Sequence, residues 1–298
     1  MGVRSGVIFG ALGVGLAALA TAFIPLAVHR AHASTPPAFN GTTSVYAVTV
    51  SGGSPHRVLT LHGQYGFATG TADGRAVLIE KPGLYRTALW RIPLSGGTGR
   101  RLGWIPIFQY PLWSPDRTRV VLSDDHGVTA VYRADGTRLR TLTRVLGDGG
   151  VNCSAWAGSF LSCVSMTRPA SGYHLELEVL RTDGSLAWHR PLTFPQATAA
   201  VAPDGQRVVV TRVHSVELVT PILRVRLPIA DLTPWQAPQW TPDGRMLLYA
   251  DARGRLVVRD MTTGRSRVLA DRGADFGLST DGRTAYVTRV SRAVSIPK

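Results

Sequence analysis

Short apolar runs recur along this chain, each bounded by residues that favour turns. Ala76-Val77-Leu78-Ile79, Val120-Val121-Leu122, Val208-Val209-Val210, Met246-Leu247-Leu248-Tyr249 and Ala285-Tyr286-Val287 are aliphatic, β-branched or aromatic throughout. Runs this short, closed off by turn signals, read as strands buried on both faces. A turn of one type precedes each: Thr71-Ala72-Asp73-Gly74, Ser114-Pro115-Asp116-Arg117, Ala202-Pro203-Asp204-Gly205, Thr241-Pro242-Asp243-Gly244 and Ser279-Thr280-Asp281-Gly282. Ala157-Gly158-Ser159 is a sixth, degenerate copy. Ser or Thr at the first corner can bond the turn backbone, and Pro at the second presets φ. Asp suits the third corner, and Gly at the fourth supplies the left-handed conformation. With Asp, or Ser159, as the marker, the steps are 43, 43, 45, 39 and 38 residues. That period suits one four-stranded propeller blade and is too long for an ankyrin or leucine-rich repeat.

A second turn series interleaves with the first: Ser51-Gly52-Gly53, Ser95-Gly96-Gly97, Ala134-Asp135-Gly136, Thr182-Asp183-Gly184, Thr220-Pro221 and Thr262-Thr263-Gly264. Each lies between two further strands. A blade therefore has strands A and B joined by the first turn type, and C and D joined by the second. The register opens with C and D at about residues 44–61 and ends with A and B at about 274–289. Both chain ends must then share one blade, which closes the ring and removes its free sheet edges. The expectation is an all-β, six-bladed β-propeller over residues 44–292, after a linker at 34–43 and before a short tail at 293–298. Trp113, Trp156 and Trp240, just ahead of three turns, are expected to pack between neighbouring blades.

The repeats, clearest in Leu89-Trp90-Arg91-Ile92-Pro93-Leu94-Ser95-Gly96-Gly97 running on to Pro111-Leu112-Trp113-Ser114-Pro115-Asp116, resemble those of the TolB-like β-propeller family. Two positions depart from the pattern: the third copy lacks Pro-Asp-Gly, and Thr220-Pro221 lacks glycine. The resemblance implies an envelope interaction module, or the propeller part of a larger peptidase. It carries no partner-binding residues onto this chain.

Arg4, an uncharged apolar stretch from Gly6 to Val28, and Ala31-His32-Ala33 predict a hydrophobic signal or anchor helix at the N-terminus. Pro25 and the Ala-x-Ala site favour cleavage after Ala33. The length of the stretch and Arg30 favour a retained membrane anchor. Either way the propeller lies outside the cytoplasm, secreted or held at the membrane. In the hairpin at Gly158, Trp156 is expected to oppose Phe160, and continuing the count sets Cys153 opposite Cys163. Two facing cysteines in an exported chain predict a disulfide.

The formal charge is +14, nearly all of it arginine. The A–B and C–D turns share one end of the ring, the B–C and D–A connections the other. The turn end carries Arg57, Arg75, Arg100, Arg101, Arg117, Arg119, Arg138, Arg140, Arg207, Arg245, Arg265, Arg267 and Arg283 against seven aspartates. It could dock on anionic phospholipid or an acidic wall polymer, or the arginines could simply fill solvated turns. Nucleic acid is a poor partner, because the cations ring a surface and do not line an aromatic groove.

The crossover end is where a propeller usually holds ligand, in the funnel at its axis. Its connections repeat aromatic residues beside glutamine: Gln64-Tyr65, Phe108-Gln109-Tyr110, Phe194-Pro195-Gln196 and Trp235-Gln236. With Asn152 and Asp275 on the inner strands, these are the binding candidates; sugar or peptide recognition and plain inter-blade packing both suit them. Asp124-Asp125-His126 is a weak metal candidate, since adjacent residues need distant partners to surround an ion. No Gly-x-Ser-x-Gly elbow or scattered-histidine triad offers a nucleophile. The sequence therefore points to a non-catalytic protein- or ligand-binding scaffold with no cofactor. Its partner would be an envelope protein or extracellular ligand. The competing reading is a metal-dependent hydrolase or lactonase with its site at the axis.

Overall fold

The computed structural model describes residues 41–81, 86–106, 112–123, 129–142, 151–167, 174–192, 198–212, 215–229, 232, 236–272 and 275–292. Their strands form six four-stranded antiparallel sheets. The chain opens with β1 (Gly41–Thr49) and β2 (His56–His62), strands C and D of the last blade. Blade 1 follows as β3 (Ala68–Gly70), β4 (Ala76–Lys81), β5 (Arg86–Pro93) and β6 (Arg100–Pro106). Blade 2 is β7 (Leu112–Trp113), β8 (Arg119–Ser123), β9 (Thr129–Arg133) and β10 (Arg138–Thr141). Blade 3 is β11 (Val151–Ala157), β12 (Phe160–Thr167), β13 (His174–Arg181) and β14 (Leu186–Leu192). Blade 4 is β15 (Thr198–Val201), β16 (Val208–Arg212), β17 (Ser215–Val219) and β18 (Arg224–Leu227). Blade 5 is β19 (Gln239–Trp240), β20 (Met246–Ala250), β21 (Leu256–Asp260) and β22 (Ser266–Ala270). Blade 6 is completed by β23 (Phe276–Leu278) and β24 (Thr284–Arg292).

The ring is closed as the repeat register requires. Strand β1 runs antiparallel to β24 from Gly41↔Arg292 to Thr49↔Thr284, with Tyr46 opposite Val287 and Val48 opposite Ala285. The propeller starts ahead of the expected Ser44, because Gly41, Thr42 and Thr43 continue this ladder. The expected helix at 6–28 and the tail at 293–298 lie outside the described residues.

Burial follows from blade stacking. Each hydrophobic cluster straddles two adjacent blades: Leu78 and Leu89 meet Trp113, Val120 and Leu122, and Leu177 and Val179 meet Ala199, Val201, Val208 and Val210. The seam at closure joins Val45, Ala47 and Tyr286 to Ala68, Val77, Ile79 and Ile92. Strands B and C lie inside this stack, so both faces of each must be apolar. That is why Val208, Val209 and Val210 are all buried.

The A–B turns owe their shape to the letters that announced them. Thr71 Oγ1 donates to Asp73 Oδ1 and accepts the Ala76 N–H at 3.1 Å, while Asp73 Oδ1 accepts the Arg75 N–H at 3.0 Å. Ser114 with Asp116, Thr241 with Asp243 and Ser279 with Asp281 repeat the arrangement. The fourth corner is left-handed in Gly74, Gly205, Gly244 and Gly282, and at φ 60° also in Arg117. Arg117 is the one non-glycine residue with positive φ among the described residues, a conformation that costs about 1–2 kcal/mol for an L-residue.

The hairpin of blade 3 corrects one expectation and keeps another. Phe160 pairs with Ala157, and Trp156 with Leu161, so the predicted Trp156–Phe160 pairing is off by one. A bulge between Cys153 and Ala155 restores the count, and Cys153 faces Cys163. The two are joined in a disulfide. Bulges insert a residue into one strand and shift all pairing beyond it, which strict two-residue alternation does not reveal.

Candidate functional site

At the turn end, several polar side chains are committed to the neighbouring blade. Arg140 on β10 donates to the carbonyls of Thr182 and Asp183 in the next blade's turn, Arg190 on β14 to Pro221, and Arg267 on β22 to Val50. Arg207 donates to the Gly244 carbonyl at 3.1 Å, pairs with Asp204 at 2.7 Å, and lies 5.0 Å from the Trp240 ring centre. Arg119 covers Trp156 in the same way at 5.3 Å. Trp113, Trp156 and Trp240 are all buried between blades, as expected. The indole N–H of Trp240 donates to the Ala200 carbonyl of blade 4 at 2.8 Å.

Arg117 goes furthest. Its guanidinium donates to its own turn at Ser114 O (3.3 Å) and to Leu278 O of blade 6 (2.7 Å). The Leu278 carbonyl also accepts the Thr69 hydroxyl at 2.6 Å. Three blades thus meet at one carbonyl on the inner strands, and desolvation there pulls the guanidinium pKa down to about 10. The sequence sets Arg117 on a basic surface; it is instead a tie that joins blade 2 to blade 6 beside blade 1. The signal was present in the turn, where arginine stands at the glycine corner.

The turn aspartates form an electrostatic set. For Asp73, Asp243 and Asp281, the Thr or Ser hydroxyl at the first corner, then the following backbone N–H, holds the pKa below the ordinary value. Each carboxylate is stabilised inside its own turn.

The crossover end differs. Gln64 is exposed, and Tyr65 is half-buried with the Lys81 ammonium 5.5 Å from its ring centre. Burial raises the Tyr65 pKa. Gln236 Nε2 donates to the Phe276 carbonyl at 2.7 Å, and Gln239 brackets the same strand, donating to Phe276 O and accepting the Leu278 N–H. Both glutamines therefore fasten blade 5 to blade 6, the packing role that competed with ligand recognition. Asp275 is exposed at the start of β23, its pKa raised by desolvation. Phe108, Gln109, Tyr110, Gln196, Trp235, Asp124, Asp125, His126 and the side chain of Asn152 lie outside the described residues.

Glu80 is the group sequence reasoning passed over. It ends the apolar run of β4 and is 8% exposed. Its Oε1 is buried without a hydrogen-bond partner. Desolvation, with the Asp275 charge as a smaller contribution, pushes its pKa up to about 8. Gly66 lies beside it, with a Cβ there 3.9 Å from Glu80 Oε2, an ordinary contact. Only an acid closing an otherwise apolar strand could have flagged this. Among the described residues no three His, Cys, Asp or Glu side chains gather as a metal set. A shallow groove of about 410 Å³ lies away from the axis, between Tyr46, Pro55, Val268, Asp271 and Arg289.

No protein-family model and no curated protein sequence matches the chain. Solved structures do. A TolB-type protein of Agrobacterium tumefaciens superposes with a TM-score of 0.63 at 17% identity, covering 85% of this chain and 99% of that one. TolB from Acinetobacter baumannii gives 0.51 at 16% identity, covering 86% of this chain and 65% of the other. At such identities the likeness concerns architecture. Repeat, six-sheet topology and shared last blade agree with it, and the chain has the TolB-like β-propeller fold.

Proposed function

We propose that this chain is an extracytoplasmic, non-catalytic binding scaffold of the cell envelope, which recognises an envelope protein or extracellular ligand at its crossover end. The observation that carries this reading is the contrast in how polar groups are used. At the turn end Arg140, Arg207 and Arg267 are bound into inter-blade ties, whereas at the crossover end Gln64, Tyr65 and Asp275 keep surface available beside the glutamines that fasten blades 5 and 6. The TolB-like fold supports an envelope role by analogy alone. The disulfide of blade 3 and the apolar N-terminal stretch support export.

The basic turn end is, in the same reading, a docking plate for anionic phospholipid. Arg75, Arg138, Arg245, Arg265 and Arg283 are exposed there. Strand β1 enters the ring from the crossover end at Gly41 and reaches the turn end at Thr49. A segment retained in the bilayer ahead of Gly41 would draw the crossover end toward the membrane. The form cleaved after Ala33 leaves the turn end free.

Photo-crosslinkers placed at Tyr65 and Asp275, and for contrast at Asp243, test the reading in the exported chain. A discrete envelope partner captured from the first two positions and not the third is expected. Turnover of an ester or lactone, lost on chelation of divalent cations, would overturn it in favour of the axial hydrolase. That competing reading gains no support from the inner strands, where Gln239 and Arg117 are engaged with backbone.

A further inference from the structure

The hairpin joining β17 to β18 breaks the pattern of its five counterparts. The other C–D turns carry Ser-Gly-Gly, Asp-Gly or Thr-Gly at their tips; this one carries Thr220-Pro221-Ile222-Leu223. Ile222 is 90% exposed and Leu223 54%, with Val225 of β18 at 43%. No other large hydrophobic among the described residues approaches the exposure of Ile222.

The tip is braced. The Thr220 N–H donates to Leu223 O at 2.8 Å, and Thr220 Oγ1 accepts the Leu223 N–H at 2.9 Å. Arg190 of blade 3 donates to the Pro221 carbonyl at 3.0 Å. Arg224 returns the tie, donating to the Pro191 carbonyl at 3.2 Å while pairing with Glu217 at 3.2 Å. The Thr220 and Leu223 N–H groups and the Pro221 and Leu223 carbonyls are thus bonded within the protein, while two aliphatic side chains are exposed. Internal bonding of this kind lowers the cost of entering an apolar medium.

We propose that Ile222 and Leu223 form a spike that inserts into the interfacial region of an anionic phospholipid bilayer and seats the turn end upon it. Charge complementarity selects this occupant: Arg226 is exposed just behind the tip, and Arg138, Arg245 and Arg265 are exposed around the same end. Apolar insertion flanked by basic residues is the mode of interfacial membrane binders. A protein interface needs roughly 800 Å² from each partner, more than two side chains on a narrow turn provide. The inference rests on the docking reading of the turn end and names the residues that would anchor it.

The protein recovered after export is mixed with vesicles of phosphatidylcholine alone or with phosphatidylglycerol. Co-sedimentation is followed for the wild type and for Ile222→Ser/Leu223→Ser, whose fold is checked by its unchanged melting temperature. An environment-sensitive dye is attached in separate proteins at Ile222→Cys and Thr263→Cys. The expected result is binding to the anionic vesicles, weakened about tenfold or more in the double variant, with dehydration of the dye at 222 but not at 263. Equal binding of wild type and double variant would overturn the spike and leave the docking reading standing. Absence of anionic binding by the wild type would sink both. Dehydration at 222 without vesicles would give the tip to a second copy of the chain, and the proposal would fall.

Discussion

The aspartates of the A–B turns and the acids where blades 6 and 1 meet are handled in opposite ways. At the turn end Asp73, Asp243 and Asp281 are held ionised by hydroxyl and backbone donors within their own turns. At the crossover end Glu80 and Asp275 are pushed toward the neutral acid by desolvation. The first arrangement is local and repeats with the sequence. The second arises only when blades 6 and 1 come together, since Asp275 immediately precedes β23 and Glu80 belongs to β4. One end is closed by its own chemistry; the other keeps a buried acid with an unpartnered oxygen.

Packing offers the sharpest way to break this contrast. Gly282 has φ 70°, and a Cβ there would lie 2.2 Å from Pro242 Cδ of the preceding blade. Gly282→Ala should cost about 3 kcal/mol through overpacking and backbone strain. Gly66→Ala at the other end meets nothing closer than 3.9 Å and should stay within about 1 kcal/mol. Urea denaturation of both variants decides; equal losses would remove the distinction between the ends.

Next comes pH. The folded pKa of Glu80 is raised, so its contribution is fully present below the unfolded value of 4.5 and is lost as pH rises toward about 8. Stability should decline across that window, by on the order of a few kcal/mol. The turn aspartates act with the opposite sign: their pKa values are lowered, so their contribution holds above the unfolded value of 3.8 and is lost as pH falls below it. Glu80→Gln should flatten the alkaline limb and leave the acid limb intact. Melting temperatures of both proteins from pH 3 to 9, roughly the span separating the two limbs, show whether one limb can be removed alone.

Two smaller effects sharpen the picture. Replacing Cys153 and Cys163 together by alanine should cost about 2–3 kcal/mol, because the bridge constrains the unfolded chain. Its loss should be felt across the seam with blade 2, where Cys163 packs beside Val121 and Val131. Arg207→Ala, which removes the Gly244 tie and the cover over Trp240, should cost about 1 kcal/mol. Arg245→Ala, at an exposed side chain, should change almost nothing. If the two variants melt alike, the inter-blade ties carry no weight and the arginines merely decorate the turns.

Much of the fold could be read in advance, for a local reason. The Asp-Gly turn is built by residues at most five apart in sequence, so its hydrogen bonds are implicit in the letters. The period of those turns, with outer strands at one terminus and inner strands at the other, required the ladder between β1 and β24. The candidate site was less legible. Gln236 was named from its neighbours, but only the bond to Phe276 shows it fastening two blades. Trp156 was matched with Phe160 because a bulge leaves no mark in an alternating pattern.

The sequence alone determined blade number, strand order and closure, since each depends on spacing along one chain; the facing of Cys153 with Cys163 also needed the bulge that spacing does not show. Tertiary structure decided what individual charges do. Arg117 reaches a carbonyl 161 residues away, Glu80 loses its water only between assembled blades, and Ile222 stands exposed at the tip of its hairpin. Burial and electrostatic environment depend on which distant residues become neighbours, and no local pattern of letters carries that information.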